Sequence, residues 1–96
     1  MFTPTPLEYT LLNAATGTGD AILVLNYVYK TVVIKVSGVG TITGIIEVSN
    51  DGSRWVTVKT FTTDDYYEST ISFKYIRARI TVAGGQSAKI DLTATK

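Results

Sequence analysis

Over much of the chain apolar residues recur at every second position, and that spacing predicts β-strands with one face buried and one face wet. In Thr31–Ser37 the residues Val32, Ile34 and Val36 fall on one side and Lys35 on the other. In Lys74–Ala83 the inward set is Ile76, Ala78, Ile80 and Val82, and the outward set is Tyr75, Arg77, Arg79 and Thr81. Lys89–Ala94 repeats the pattern with Ile90 and Leu92 inward. Between these segments, Thr41–Thr60 reads as one hairpin. Ile42, Gly44, Ile46 and Val48 share a face, Asn50-Asp51-Gly52-Ser53 forms the turn, and Val56 and Val58 return opposite Trp55, Thr57 and Lys59. Asp-Gly between alternating runs signals a hairpin because glycine accepts the positive φ of a tight turn.

The remaining segments fit the same picture. Leu7–Leu12 is a short first strand, and Asn13–Asp20 is a loop rich in Gly, Thr and Asn. Ala21–Tyr29 is apolar without alternation. It predicts either a strand crossing the middle of a sandwich or surplus apolar surface turned to a partner subunit. Gly38-Val39-Gly40 predicts a turn, Thr62–Asp65 a loop before Tyr66–Phe73, and Gly84-Gly85-Gln86 a closing hairpin turn. No segment sustains a period of 3.6 residues, so no helix is expected. About eight short strands at roughly 8–12-residue spacing predict an all-β antiparallel β-sandwich of jelly-roll or related Greek-key topology. Residues 7–96 are expected to form a single sandwich domain. Residues 1–6 carry Pro4 and Pro6, which favour an extended N-terminal arm, either frayed or packed on a neighbour.

Composition narrows the function more than it names it. The 96 residues carry nine Lys and Arg against eight Asp and Glu, a formal charge of +1. These charges are scattered along the chain, whereas a nucleic-acid binder clusters its cations. The first residues have neither the basic nor the apolar part of a signal peptide, and no apolar run has the length of a membrane span. There is no cysteine and no histidine, which removes thiolate chemistry, the Ser-His-Asp arrangement and ordinary zinc sites. Asp51 and the pair Asp64-Asp65 are oxygen ligands that calcium would accept, but neither has EF-hand spacing, and Asx residues in turns commonly cap their own backbone. Two of Glu47, Glu68 and Asp91 could supply the carboxylate pair of a glycosidase, but the sequence gives no reason for the raised pKa that an acid catalyst needs. Gly17-Thr18-Gly19-Asp20 lacks the lysine and the helix of a phosphate loop. The chain is therefore expected to have no catalytic residue, no cofactor and no metal.

Surface residues carry the remaining signal. Trp55, Tyr66, Tyr67 and Tyr75 are candidates for an aromatic platform that stacks on sugars, for interface anchors, or for plain cross-strand packing. Arg77 and Arg79, two apart on one outer face, would pair with Glu47 or Asp91 or meet an acidic partner.

Two stretches resemble a known family. Gly44-Ile45-Ile46-Glu47-Val48-Ser49-Asn50-Asp51-Gly52-Ser53-Arg54-Trp55 resembles the hairpin of small virion proteins of tailed bacteriophages. Tyr75-Ile76-Arg77-Ala78-Arg79-Ile80-Thr81 resembles their following strand, and Gly84-Gly85-Gln86-Ser87-Ala88 their closing turn. The resemblance spans Val32 to Leu92 and implies a non-enzymatic jelly-roll-like structural protein. Its implied role is a capsid decoration or cement subunit bridging neighbouring capsid proteins, with the carbohydrate-binding or host-attachment module of a spike or tail fibre as the alternative. The implied partners are the major capsid protein and copies of the same chain as a homotrimer, with a surface glycan under the alternative and no nucleic acid or membrane. The implied location is the capsid surface of the virion, after synthesis in the host cytoplasm. The small size and the arm favour decoration over a fibre. The candidate interface residues are Phe2, Pro4, Pro6, Leu23, Leu25, Tyr27, Trp55, Tyr66, Tyr67, Arg77 and Arg79.

Overall fold

Two strands of 21 residues each organise the protein, β4 (Tyr29–Ser49) and β7 (Tyr75–Thr95). They pair antiparallel along their whole length, from Tyr29↔Thr95 to Ser49↔Tyr75. The computed structural model describes residues 7–96, so the expected arm and its Phe2, Pro4 and Pro6 lie outside the described residues. A straight strand of this length would span about 70 Å at a rise of about 3.3 Å per residue. The longest dimension of the protein is 47 Å, so both strands bend.

The bend falls where four glycines face each other. Ladder register shifts between Gly38 and Thr41, and Thr41 stands opposite both Gly84 and Gly85. Gly40 has φ 127° and Gly85 has φ 104°. A Cβ on Gly40 would run into the Gly84 carbonyl, and one on Gly85 would meet the Val39 carbonyl at 2.6 Å. The expected turns at Gly38–Gly40 and Gly84–Gln86 are thus corrected. The chain does not reverse there; it carries each strand on from one layer into the other.

Shorter strands complete each layer. In the first, β1 (Leu7–Ala14) pairs with 88–94 of β7, and β6 (Asp65–Ser69) pairs with 30–34 of β4. In the second, β2 (Gly17–Thr18) and β3 (Ile22–Leu23) pair with the first half of β7, and β5 (Val56–Phe61) with the second half of β4. The strand order is β1, β7, β4, β6 in one layer and β2/β3, β7, β4, β5 in the other. Counting each long strand twice, and β2 with β3 as one, gives eight segments. The first pairs with the eighth, the second with the seventh, the third with the sixth and the fourth with the fifth. That nested pairing is the jelly-roll order. The described residues contain no helix.

Burial shows that the layers face each other. Val32, Ile34, Ile90 and Leu92 of one layer and Ile42, Ile46, Phe61, Ile76 and Ala78 of the other form one apolar cluster, each almost fully covered. A lone sheet leaves one face in water, so this burial needs a second layer over the first. At the end opposite the bend, the Lys30 ammonium of the first layer lies 4.7 Å from the centre of the Phe73 ring, which leads into the second.

Two segments differ from the pattern expected of them. Ala21–Tyr29 is not one strand. Only Ile22–Leu23 joins the sheet; the chain then turns, with the Tyr27 amide donating to the Val24 carbonyl, and crosses between layers. Val24 alone of the run is fully buried, while Leu23, Leu25, Val28 and Tyr29 stay exposed. Val82, expected inward, is exposed because the ladder slips by one residue between Thr43↔Val82 and Gly44↔Ile80. A slip of one residue turns a side chain to the opposite face.

Candidate functional site

The outer face of the second layer gathers the charged and aromatic residues that the sequence pattern placed outward. Glu47 stands directly opposite Arg77 on β7 and Thr57 on β5. The Nε of Arg77 donates to Glu47 Oε1 at 3.0 Å, and the Nε of Arg79 donates to the same oxygen at 3.2 Å. The expected pairing of these arginines is therefore with Glu47, not Asp91. Glu47 is only 4% exposed although it points away from the core, because the two guanidiniums lie over it. A carboxylate this shielded is stable only when paired.

Trp55 supports the arrangement from the side. The Arg77 guanidinium carbon sits 3.9 Å from the centre of the indole ring, a close cation–π contact. Trp55 is half-buried, neither between the layers nor free in solvent. The turn before it is fixed locally: Asp51 Oδ1 accepts from the amides of Arg54 and Ser53 at 2.8 Å each, and Ser49 Oγ accepts from Gly52 at 2.9 Å. The bonds that Asp51 accepts, the one from Arg54 first and then the one from Ser53, hold its carboxyl below its ordinary value of 3.8.

The other aromatic candidates lie elsewhere. Tyr66 is exposed on the outer face of the first layer, opposite Val33, while Tyr67 is half-buried against the core. Of the three readings of these rings, the four-ring platform is not assembled: only Trp55 and Tyr75 share a face. Leu23 pairs with Tyr75 at the margin of that face, Leu25 is exposed in the crossover, and Tyr27 packs on the core. Between β4 and β6 the outer face of the first layer dips into a shallow groove of about 470 Å³ lined by Thr31, Val33, Lys35, Asp64, Tyr66 and Glu68.

The carboxylates are dispersed. Glu47 belongs to the second layer, Glu68 and Asp91 to the first. Asp64 Oδ1 accepts from the Val36 amide, and Asp65 pairs with Lys59 at 3.1 Å. Among the described residues no three acidic side chains converge as a cation site. Sequence reasoning missed one buried charge, Lys30, 2% exposed, whose Nζ donates to the carbonyls of Tyr27 and Val28. Its even position in the inward series of β4 was the available signal.

No known family model matches the chain, and no curated protein matches it. Solved structures do resemble its fold. One is the SPBc2 prophage-derived protein YomS, with a TM-score of 0.72 and 15% identity, covering 99% of this chain and 97% of that one. A second comes from work on the disulfide-linked pili of Bacillus endospore appendages, with a TM-score of 0.50 and 16% identity over 99% and 91% of the two chains. A third is PirA, with a TM-score of 0.50 and 17% identity over 100% and 97%. At these identities the likeness is one of fold: an all-β antiparallel protein built like a prophage-derived one.

Proposed function

We propose that this chain is a non-enzymatic structural protein of a bacteriophage virion, a decoration or cement subunit that bridges neighbouring capsid proteins. The observation that carries this reading is the end-to-end fold likeness to a prophage-derived protein, with 99% of one chain aligned to 97% of the other. The surface supports it. Its buried carboxylate, Glu47, is held by Arg77 and Arg79, and its exposed features include aromatic, arginine and apolar residues of the kind that anchor protein interfaces. The pilus likeness adds a second assembly context for this fold, although this chain has no cysteine with which to link subunits by disulfides.

The carbohydrate-binding alternative has less support. A sugar stacking on Trp55 would have only the ring face that Arg77 leaves, on a side chain that is already half-buried. The test is made on purified phage particles from the source. Peptide mass spectrometry is expected to find the chain in them, and electron microscopy to place its density on the capsid shell. Particles lacking the chain would remove the virion reading. Density on a tail fibre, with glycan binding abolished by Trp55→Ala, would replace decoration by attachment.

A further inference from the structure

We infer that this protein binds a second copy of itself head to tail, the outer face of the second layer in one copy meeting the β4–β6 groove of the first layer in the next. The cationic half of the contact is Arg77 and Arg79. Both guanidiniums donate through Nε to one buried oxygen of Glu47, and Arg77 is also stacked on Trp55. Their Nη groups make no hydrogen bond among the described residues, and Arg79 keeps 42% of its side chain exposed. Two arginines against one carboxylate leave the patch positive. They are held in place before any partner arrives, so little side-chain freedom is lost on binding.

The acidic half is on the same chain but on the opposite layer. Glu68 is exposed and has no ion pair among the described residues. Beside it, Tyr66 and Val33 face each other across the β4–β6 ladder and are 61% and 41% exposed. This gives the groove an apolar floor, room for side chains, and a rim on which Asp64, Asp65 and Glu68 outnumber the one cation, Lys35. An apolar centre with a polar rim is the usual anatomy of an interface, and Trp, Tyr and Arg dominate interface energetics. The near-neutral net charge of +1 does little to keep copies apart. The two faces differ, so the contact is heterologous: it closes into a ring if the rotation permits and extends into a filament if it does not.

The inference deepens the structural-protein reading and rests on it for its setting. Its test uses the full chain in dilute buffer, by light scattering and sedimentation over a range of concentrations. Wild type is expected to show mass above the monomer, falling as salt screens the charge contact. Arg79→Ala keeps Arg77 on Glu47, and Tyr66→Ala/Glu68→Ala changes only exposed groups, so both variants are expected to keep the wild-type circular dichroism. Each alone is expected to associate about tenfold more weakly or not at all. Mixed in equal amounts, they are expected to form a dimer and stop there, because each supplies the face the other lacks. A wild type that stays monomeric, variants that associate like wild type, or a mixture that stays monomeric would each overturn the inference. A monomer in solution that is nonetheless found on particles sinks this inference and leaves the virion reading standing. Self-association without incorporation into particles does the reverse.

Discussion

Lys30 shows how one residue can stabilise an end of the fold and weaken it at once. Its ammonium satisfies two crossover carbonyls and lies over Phe73, which ties both layers at the end opposite the bend. Burial also pushes its pKa below the ordinary 10.5, since a desolvated ammonium is less favourable than a hydrated one. In the pH interval just below 10.5 the unfolded chain therefore holds more protons than the folded one. Stability from this group rises with pH there, because the penalty on the charged form disappears as the folded lysine loses its proton. Lys30→Met keeps the volume and drops the charge, and is expected to change stability by less than about 1.5 kcal/mol at neutral pH. Lys30→Ala leaves a void between the layers and is expected to lower stability by about 2–4 kcal/mol. Denaturant midpoints of wild type and Lys30→Met, compared from neutral pH up to the ordinary lysine range, isolate the titration from that of the tyrosines. Wild type should gain on the variant as pH rises; a constant gap would show that Lys30 is not desolvated. Glu47 gives a second contrast. Glu47→Ala strands two guanidiniums and is expected to lower stability by about 2–4 kcal/mol, whereas Arg79→Ala removes one solvent-exposed partner and is expected to lower it by less than about 1 kcal/mol. Equal losses in urea unfolding would mean that the carboxylate is not the hub.

At the scale of elements, alternation in the sequence marked both halves of β4, β5 and both halves of β7, since a strand covered on one face must alternate. What the sequence could not show is that Gly38–Gly40 and Gly84–Gly85 bend the chain rather than reverse it. A hairpin turn and an interlayer bend both use glycine at positive φ, and only the partner strand, far away in sequence, decides between them. Parity along a strand likewise placed Glu47, Arg77 and Arg79 on an outer face, so that cluster was legible. Parity does not tell which layer an outer face belongs to, and for that reason Trp55 and Tyr66 read as neighbours although they lie on opposite sides. The bend itself makes a sharp prediction. Gly40→Ala would force an alanine into the left-handed region with its Cβ against the Gly84 carbonyl. Backbone atoms there cannot move aside as a side-chain tip can, so the loss is expected to exceed about 2 kcal/mol. Val39→Ala, between the same glycines but 93% exposed, serves as the control and should be near neutral in thermal unfolding.

On the scale of the whole molecule, the two long strands make the layers inseparable. Neither layer has central strands of its own: β4 and β7 supply the middle pair of both, and the buried side chains of both belong to one cluster. Unfolding one layer would strip the inner face of the other, exposing Ile34, Ile90 and Leu92 or Ile46, Phe61 and Ile76 to water. Burial of each such side chain is worth about 1.5–3 kcal/mol. The loss over three or more of them is comparable to the whole stability of a domain this size, about 5–15 kcal/mol. A half-unfolded state therefore has too little stability to accumulate, and the protein is expected to unfold in one step. The single tryptophan makes this measurable, because Trp55 stacks under Arg77 on the second layer and reports that layer alone. Far-ultraviolet circular dichroism reports the strands of both. The two signals are expected to give the same denaturant midpoint and the same slope. A Trp55 transition that comes earlier than the circular dichroism would show that the second layer can open by itself, and that the bend is a hinge rather than a fixed corner.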